Sequence, residues 1–135
     1  MVDRTATVLV CDEILWGMTG KVFLQGVYVT DISIPGPELP INQLVFYFSV
    51  STPVERPFKK VTLLVTPPGE APSSFEVSLA AQPTHMKRPT LTLRAPLLIQ
   101  SLILRPGKIE AKVITESEEI DAGSFWVSSV GKPTP

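Results

Sequence analysis

The stretch Leu44-Val45-Phe46-Tyr47-Phe48-Ser49-Val50-Ser51 decides the fold. Leu44, Phe46, Phe48 and Val50 fall on one parity; Gln43, Val45, Tyr47, Ser49 and Ser51 fall on the other. Successive side chains point to opposite faces only in extended backbone, so large apolar groups at a period of two predict a strand with one face on a core. Val61, Leu63 and Val65 repeat the pattern. Pro67-Pro68-Gly69-Glu70 then reads as a turn, and Phe75, Val77 and Leu79, alternating with Ser74, Glu76 and Ser78, predict a paired neighbour. Towards the N-terminus, Thr5 to Leu15 reads as a strand, Gly17 to Lys21 as a turn and Val22 to Val29 as the returning arm of a hairpin. The proline-rich loop from Pro35 to Pro40 is expected to carry the chain from one sheet to another.

Towards the C-terminus, Ala80 to Pro89 lacks periodicity and reads as a loop, after which Leu91 and Leu93 alternate with Thr90, Thr92 and Arg94. Leu97 to Leu104 is apolar on both parities, a pattern shared by a doubly buried strand and a short core helix; strand is the preferred reading. Arg105-Pro106-Gly107 is a turn. Ile109, Ala111 and Val113 begin a last hairpin with its tip at Ser117-Glu118 and its return arm from Glu119 through Val127. These segments predict eight or nine strands in one all-β domain over residues 1–130, an antiparallel two-sheet β-sandwich of immunoglobulin-like or C2-like type, with 131–135 as a disordered tail.

Composition agrees. Val, Ile and Thr supply 36 of the 135 residues and Ala only seven; β-branched side chains lose rotamer freedom in helices and pack well on a pleated surface. Fourteen prolines leave no room for a long amphipathic helix. A chain of this length buries enough surface for one core without disulfide or metal staples. A net charge of -1 gives no broad field to draw nucleic acid or an anionic membrane, so neither is an expected partner. Met1 to Thr5 has no secretory leader pattern, and Leu39 to Val54, the longest uncharged stretch, is too short and polar for a spanning helix. With a single cysteine, Cys11, excluding an intrachain disulfide, the expected setting is the cytoplasm.

Cys11-Asp12, Gly20-Lys21 and Gly26-Val27-Tyr28, together with Pro106-Gly107-Lys108-Ile109, an acidic hairpin tip and Phe125-Trp126-Val127, resemble a bacterial family of small cytoplasmic β-sandwich proteins with no assigned function. The family more often carries an aromatic where this chain has Ile109. The resemblance implies a fold and a setting and brings no catalytic residue.

Chemistry is sparse. His85, the one histidine, sits in a polar loop without an orienting partner, which excludes a multi-histidine metal site and leaves a solvated loop side chain as the simpler reading. Cys11 in a strand reads as a small buried hydrophobe. Asp12 and Glu13 are neighbours whose side chains diverge in extended backbone; a solvated pair beside Lys21 is expected. Glu116, Glu118, Glu119 and Asp121 make an acidic tip with too few partners from other loops for calcium. Lys87-Arg88 with Lys59-Lys60 lack the interleaved aromatics of a nucleic-acid surface. No catalytic set, cofactor site or metal site is therefore expected.

A stronger lead is the surplus of apolar residues opposite in parity to the core: Val45, Tyr47, Leu64, Ile114 and Trp126. If their strands are neighbours, these side chains would form an exposed patch of the kind that marks protein contacts. The expectation is a noncatalytic module that binds a protein partner or itself as a homo-oligomer. The alternative is a small-molecule or metal-ion binding module using the loops at one end of the sandwich, including the acidic tip and His85.

Overall fold

Alternating β-branched and aromatic residues, punctuated by proline and glycine, fold into ten strands in a computed structural model that describes residues 3–29, 31–79 and 89–130. They are β1 (Thr5–Cys11), β2 (Glu13–Trp16), β3 (Val22–Gln25), β4 (Ile32–Pro35), β5 (Leu39–Pro53), β6 (Val61–Thr66), β7 (Ser73–Glu76), β8 (Thr90–Leu104), β9 (Gly107–Thr115) and β10 (Glu119–Val130). A three-residue 3-10 piece at Met18–Gly20 joins β2 to β3. An all-β fold is thus borne out. No described helix is long and apolar enough to cross a membrane.

Three sheets form: β1-β5-β8, β4-β10-β9-β6-β7 and the separate pair β2-β3. The two larger sheets share one core, in which Leu44, Phe46, Phe48 and Val50 of β5 meet Val61, Leu63 and Val65 of β6 and Ile109, Ala111 and Val113 of β9. Every one of these ten side chains is at most 2% exposed, so the alternation in the sequence is the alternation between core and outer face. As expected, the chain changes sheets at Gly36–Glu38, between β4 and β5.

Three expectations need correction. Among the described residues the strands number ten, because the run Thr5 to Leu15 breaks at Asp12 into β1 and β2, the four-residue β4 carries too short an alternation to register, and Thr90 to Leu104 is one strand rather than two. The sheets are not wholly antiparallel: β4 lies parallel to β10, with Ile32 opposite Val127 and Ile34 opposite Ser129. A parallel neighbour needs a long connection, which the chain provides by traversing both sheets between the two strands. Finally, β2-β3 stands apart as a third sheet. The Ala80–Pro89 loop except Pro89, with His85 and Lys87-Arg88, and the 131–135 tail lie outside the described residues.

The doubly apolar run Leu97 to Leu104 is strand, and its pattern has a local cause. Leu97 and Ile99 face the core, Gln100 and Ser101 both face out, and Leu102 and Leu104 face in again. Ser101 takes a φ of 56°, and the Asn42–Ser101 pair is missing from an otherwise unbroken β5-β8 ladder. Inward parity switches on β5 at the same point, from Leu39 and Ile41 to Leu44 and Phe46. One irregular pair thus puts apolar residues on both parities of each strand. A bulge at Ala122, between Asp121 and Gly123, does the same to β10: Ile120 packs on the core before it, Phe125 and Val127 after it, and Trp126 is left outside.

Candidate functional site

Five residues were expected to share a patch; the structure divides them between two outer faces. Val45 and Tyr47 lie on β5, while Leu64, Ile114 and Trp126 lie on β6, β9 and β10 of the other sheet. Val45 is fully buried, a correction to the expected exposure: with Cys11 and Ile14 it forms a second small core, against which Val22, Leu24 and Tyr47 pack. The wrong-parity signal at β5 therefore marked a face covered by another part of the same chain. Leu64 and Ile114 are half-buried on a charged face, where Leu64 pairs with Lys112 and Ile114 with Glu119. Lys112 and Glu119 form an ion pair of 2.9 Å, and Lys108 and Glu110 one of 3.6 Å. Trp126 is half-exposed at the far side, opposite Lys108.

The cover over Val45 is the β2-β3 hairpin, and it carries the largest concentration of exposed apolar side chains. Ile14 and Leu24, directly opposite each other, face the sheet; Leu15 and Phe23, the next pair, face solvent. Leu15 is 40% exposed, Phe23 55%, Trp16 68% and Met18 86%. The hairpin's base is fixed by backbone bonds from the Asp12 N–H to the Gln25 carbonyl and from the Tyr28 N–H to the Val10 carbonyl, both 2.9 Å. At its tip the Phe23 ring lies against Gly17 so closely that a Cβ there would come within 2.8 Å of Cε2. The turn of this hairpin is legible in the sequence, but its arms are shorter than the expected Thr5–Leu15 and Val22–Val29, since Thr5–Cys11 pairs with β5. Its exposed residues leave no signal, because Leu15, Phe23 and Trp16 share strands with inward apolar neighbours and no parity excess sets them apart.

Beside the hairpin base, Asp12, Glu13, Tyr28, Ile41, Asn42 and Gln43 line an open cleft of about 440 Å³. The Tyr28 hydroxyl donates to Asp12 Oδ1 at 3.1 Å, and Gln43 Nε2 donates to the Asp12 carbonyl at 3.2 Å. Burial first, and the neighbouring Asp12 carboxylate second, push the Tyr28 phenol above its ordinary pKa. Gly26 has a φ of +69°, and a Cβ there would stand 2.2 Å from Asp12 Oδ2, so only glycine allows this approach. A second, apolar groove of about 380 Å³ opens between Ser73, Ser74 and Phe75 of β7 and Pro96, Leu97 and Leu98 of β8.

The acidic tip turns out to be structural. The side chain of Arg4 is completely buried and crosses to this tip: Nη1 pairs with Glu116 Oε2 and, at 3.4 Å, with Glu118 Oε1. Its Nε donates to Thr52 Oγ1 at 2.9 Å, and Nη2 donates to the carbonyls of Arg56 and Pro57 at 3.1 and 3.3 Å. Its guanidinium also lies 4.7 Å from the centre of the Phe58 ring. Arg56 holds Glu118 at 2.6 Å, and the backbone N–H groups of Lys59 and Lys60 donate to Glu116 Oε1 at 2.6 and 3.2 Å. No buried side-chain polar atom among the described residues lacks a partner. Arg4 therefore ties the start of β1, the β5-β6 loop and the β9-β10 tip together, using the carboxylates a cation would need.

Burial alone would raise the Glu116 pKa, but the Lys59 N–H and the Arg4 guanidinium outweigh it and hold the carboxyl at about 2, against an ordinary 4.5. A carboxyl depressed on folding adds stability that is complete above the unfolded value and disappears as pH falls through the folded one. Glu116 should thus contribute stability near neutral pH that is lost between roughly pH 5 and pH 2, reduced by solvent screening because the carboxyl is reached by water. Chemical denaturation across that range should show the loss in the wild type and a markedly flatter profile in Glu116→Gln; equal slopes would refute the assignment.

Cys11 is buried and unpaired, with its Sγ within 3.5 Å of the Glu13 carbonyl. Burial first, and the Asp12 charge as well, raise its thiol pKa against the opposing effect of the Glu13 contact; a thiol so placed is a poor nucleophile. Among the described residues no three His, Cys, Asp or Glu side chains gather where they could hold a metal ion. No protein-family model matches the chain, and no curated protein matches its sequence.

Proposed function

We propose that this chain is a noncatalytic cytoplasmic protein-contact module, built on a two-layer β-sandwich of immunoglobulin-like or C2-like type, whose contact face is the β2-β3 hairpin. The observation that carries this is the exposure of Leu15, Trp16, Met18 and Phe23 on one short hairpin. Single exposed apolar residues are ordinary, but Leu15 and Phe23 side by side on the outer face, with Met18 at the tip and Trp16 at the edge of the same hairpin, form the kind of patch that soluble proteins keep for contacts. Support against a catalytic role comes from the buried Cys11 and from the Glu116 and Glu118 carboxylates, which are engaged by arginines. The unpaired cysteine fits a reducing compartment.

A contact face can be distinguished from a structural one by stability. In dilute solution Trp16→Ser and Phe23→Ser should stay within about 0.5 kcal/mol of the wild type, as surface substitutions do. Denaturant unfolding measures this directly. A loss of several kcal/mol would mean that these side chains serve the fold, and the contact role would fall.

A further inference from the structure

We infer that the partner of the hairpin face is a second copy of this chain, docked about a two-fold axis; this rests on the contact role proposed above. The outward face has three rows. Glu13 pairs with Gln25 at the base, Leu15 with Phe23 in the middle, and at the tip the Gly17 N–H donates to the Lys21 carbonyl at 2.8 Å. Lys21 is extended, with φ -85° and ψ 150°, so it continues the parity of Phe23 and Gln25. The face thus carries an acid at one end, a base at the other and an apolar pair between them.

Such a surface is complementary to itself. A two-fold axis through the Leu15–Phe23 row stacks the apolar centres of two copies and brings Glu13 of each copy towards Lys21 of the other, forming every contact twice. Neither Glu13 nor Lys21 has an ion-pair partner among the described residues, so neither must first give one up. A net charge of -1 offers almost no long-range repulsion between copies. Trp16 pairs with Val22 on the sheet-facing side, so the free side-chain surface on this face comes from Leu15 and Phe23 with Met18 at the tip and is on the order of 350 Å² per copy, and a pair would bury about 700 Å². That is the size of a weak, transient contact and sets the expected dissociation constant at roughly 100 μM or weaker.

Sedimentation velocity and light scattering from about 10 μM to 1 mM test this. The wild type should dimerise, and more weakly as salt rises, because the rim charges are exposed. E13K and K21E should each weaken the dimer about tenfold, since each reversal places like charges together twice. An equimolar mixture of E13K and K21E should associate, and the E13K/K21E double variant should recover the wild-type constant. A wild type monomeric at every concentration, or a dimer indifferent to both reversals, overturns the second copy as partner. Stability of Trp16→Ser and Phe23→Ser is read separately: if unchanged beside a monomeric wild type, the contact role survives and only the self-pairing falls.

Discussion

Replacing Arg4 by methionine should cost on the order of 2–3 kcal/mol, because several partly buried acceptors lose a charged donor at once, and should lower the melting temperature by roughly 10 °C in a domain of this size. The cause lies less in lost attraction than in what remains. Glu116, with a side chain 24% exposed, would lose its guanidinium, and the Thr52 hydroxyl and the carbonyls of Arg56 and Pro57 would lose their donor. Lysine at position 4 keeps the charge but has no planar fork to reach the Thr52 hydroxyl, the Glu116 carboxylate and two carbonyls together, so Arg4→Lys should recover only a minor part. Combining Arg4→Met with Glu116→Gln should cost clearly less than the two single effects added, because the unpaired carboxylate is then removed. Strict additivity, or a loss below about 1 kcal/mol for Arg4→Met, would show that the clasp contributes little.

The second large effect separates two residues that look alike in the sequence. Val45 and Leu64 both sit opposite in parity to the core of an alternating strand. Val45→Asp should cost several kcal/mol, because it places a carboxylate without a partner between Cys11 and Ile14 under the hairpin. Leu64→Asp should cost about 1 kcal/mol or less, since Leu64 is half-buried beside Lys112, whose ammonium can meet the new charge. Denaturant unfolding of the two variants is the measurement. Similar losses in both would mean that the hairpin does not seal the β5 face.

Much of the fold was legible because burial on one side of a strand writes itself as a period of two. The core residues of β5, β6 and β9 stand in the sequence in their structural order, and the Gly17–Lys21 turn and the Ser117-Glu118 tip announce their hairpins. The signal failed where the backbone left the regular pleat. Ser101 at positive φ and the bulge at Ala122 switch the inward parity within a strand, so Leu97 to Leu104 reads as apolar on both sides and Trp126 falls outside a strand whose Val127 is core. The β4-β10 pair was hidden for a different reason: parallel pairing between segments far apart leaves no local trace.

The candidate site was less legible. Parity identified apolar residues that do not belong to the main core, and Val45 and Tyr47 are such residues. What covers them is another segment of the chain, and coverage depends on how β2-β3 folds back over β5, which no local pattern encodes. Likewise Glu116 and Glu118 read as an open acidic tip until Arg4, 112 residues away from Glu116, is seen to fill it. The sequence by itself determined that the chain is all-β, which residues of β5, β6 and β9 alternate into the core and where most turns fall, because these follow from steric preferences acting between near neighbours, whereas Phe75, expected in the same alternation, is half-exposed on a strand that ends at Glu76. Only the tertiary structure decided which outer surfaces stay open, which carboxylates are engaged and that the hairpin presents its apolar side to solvent, because those depend on contacts between segments distant in sequence.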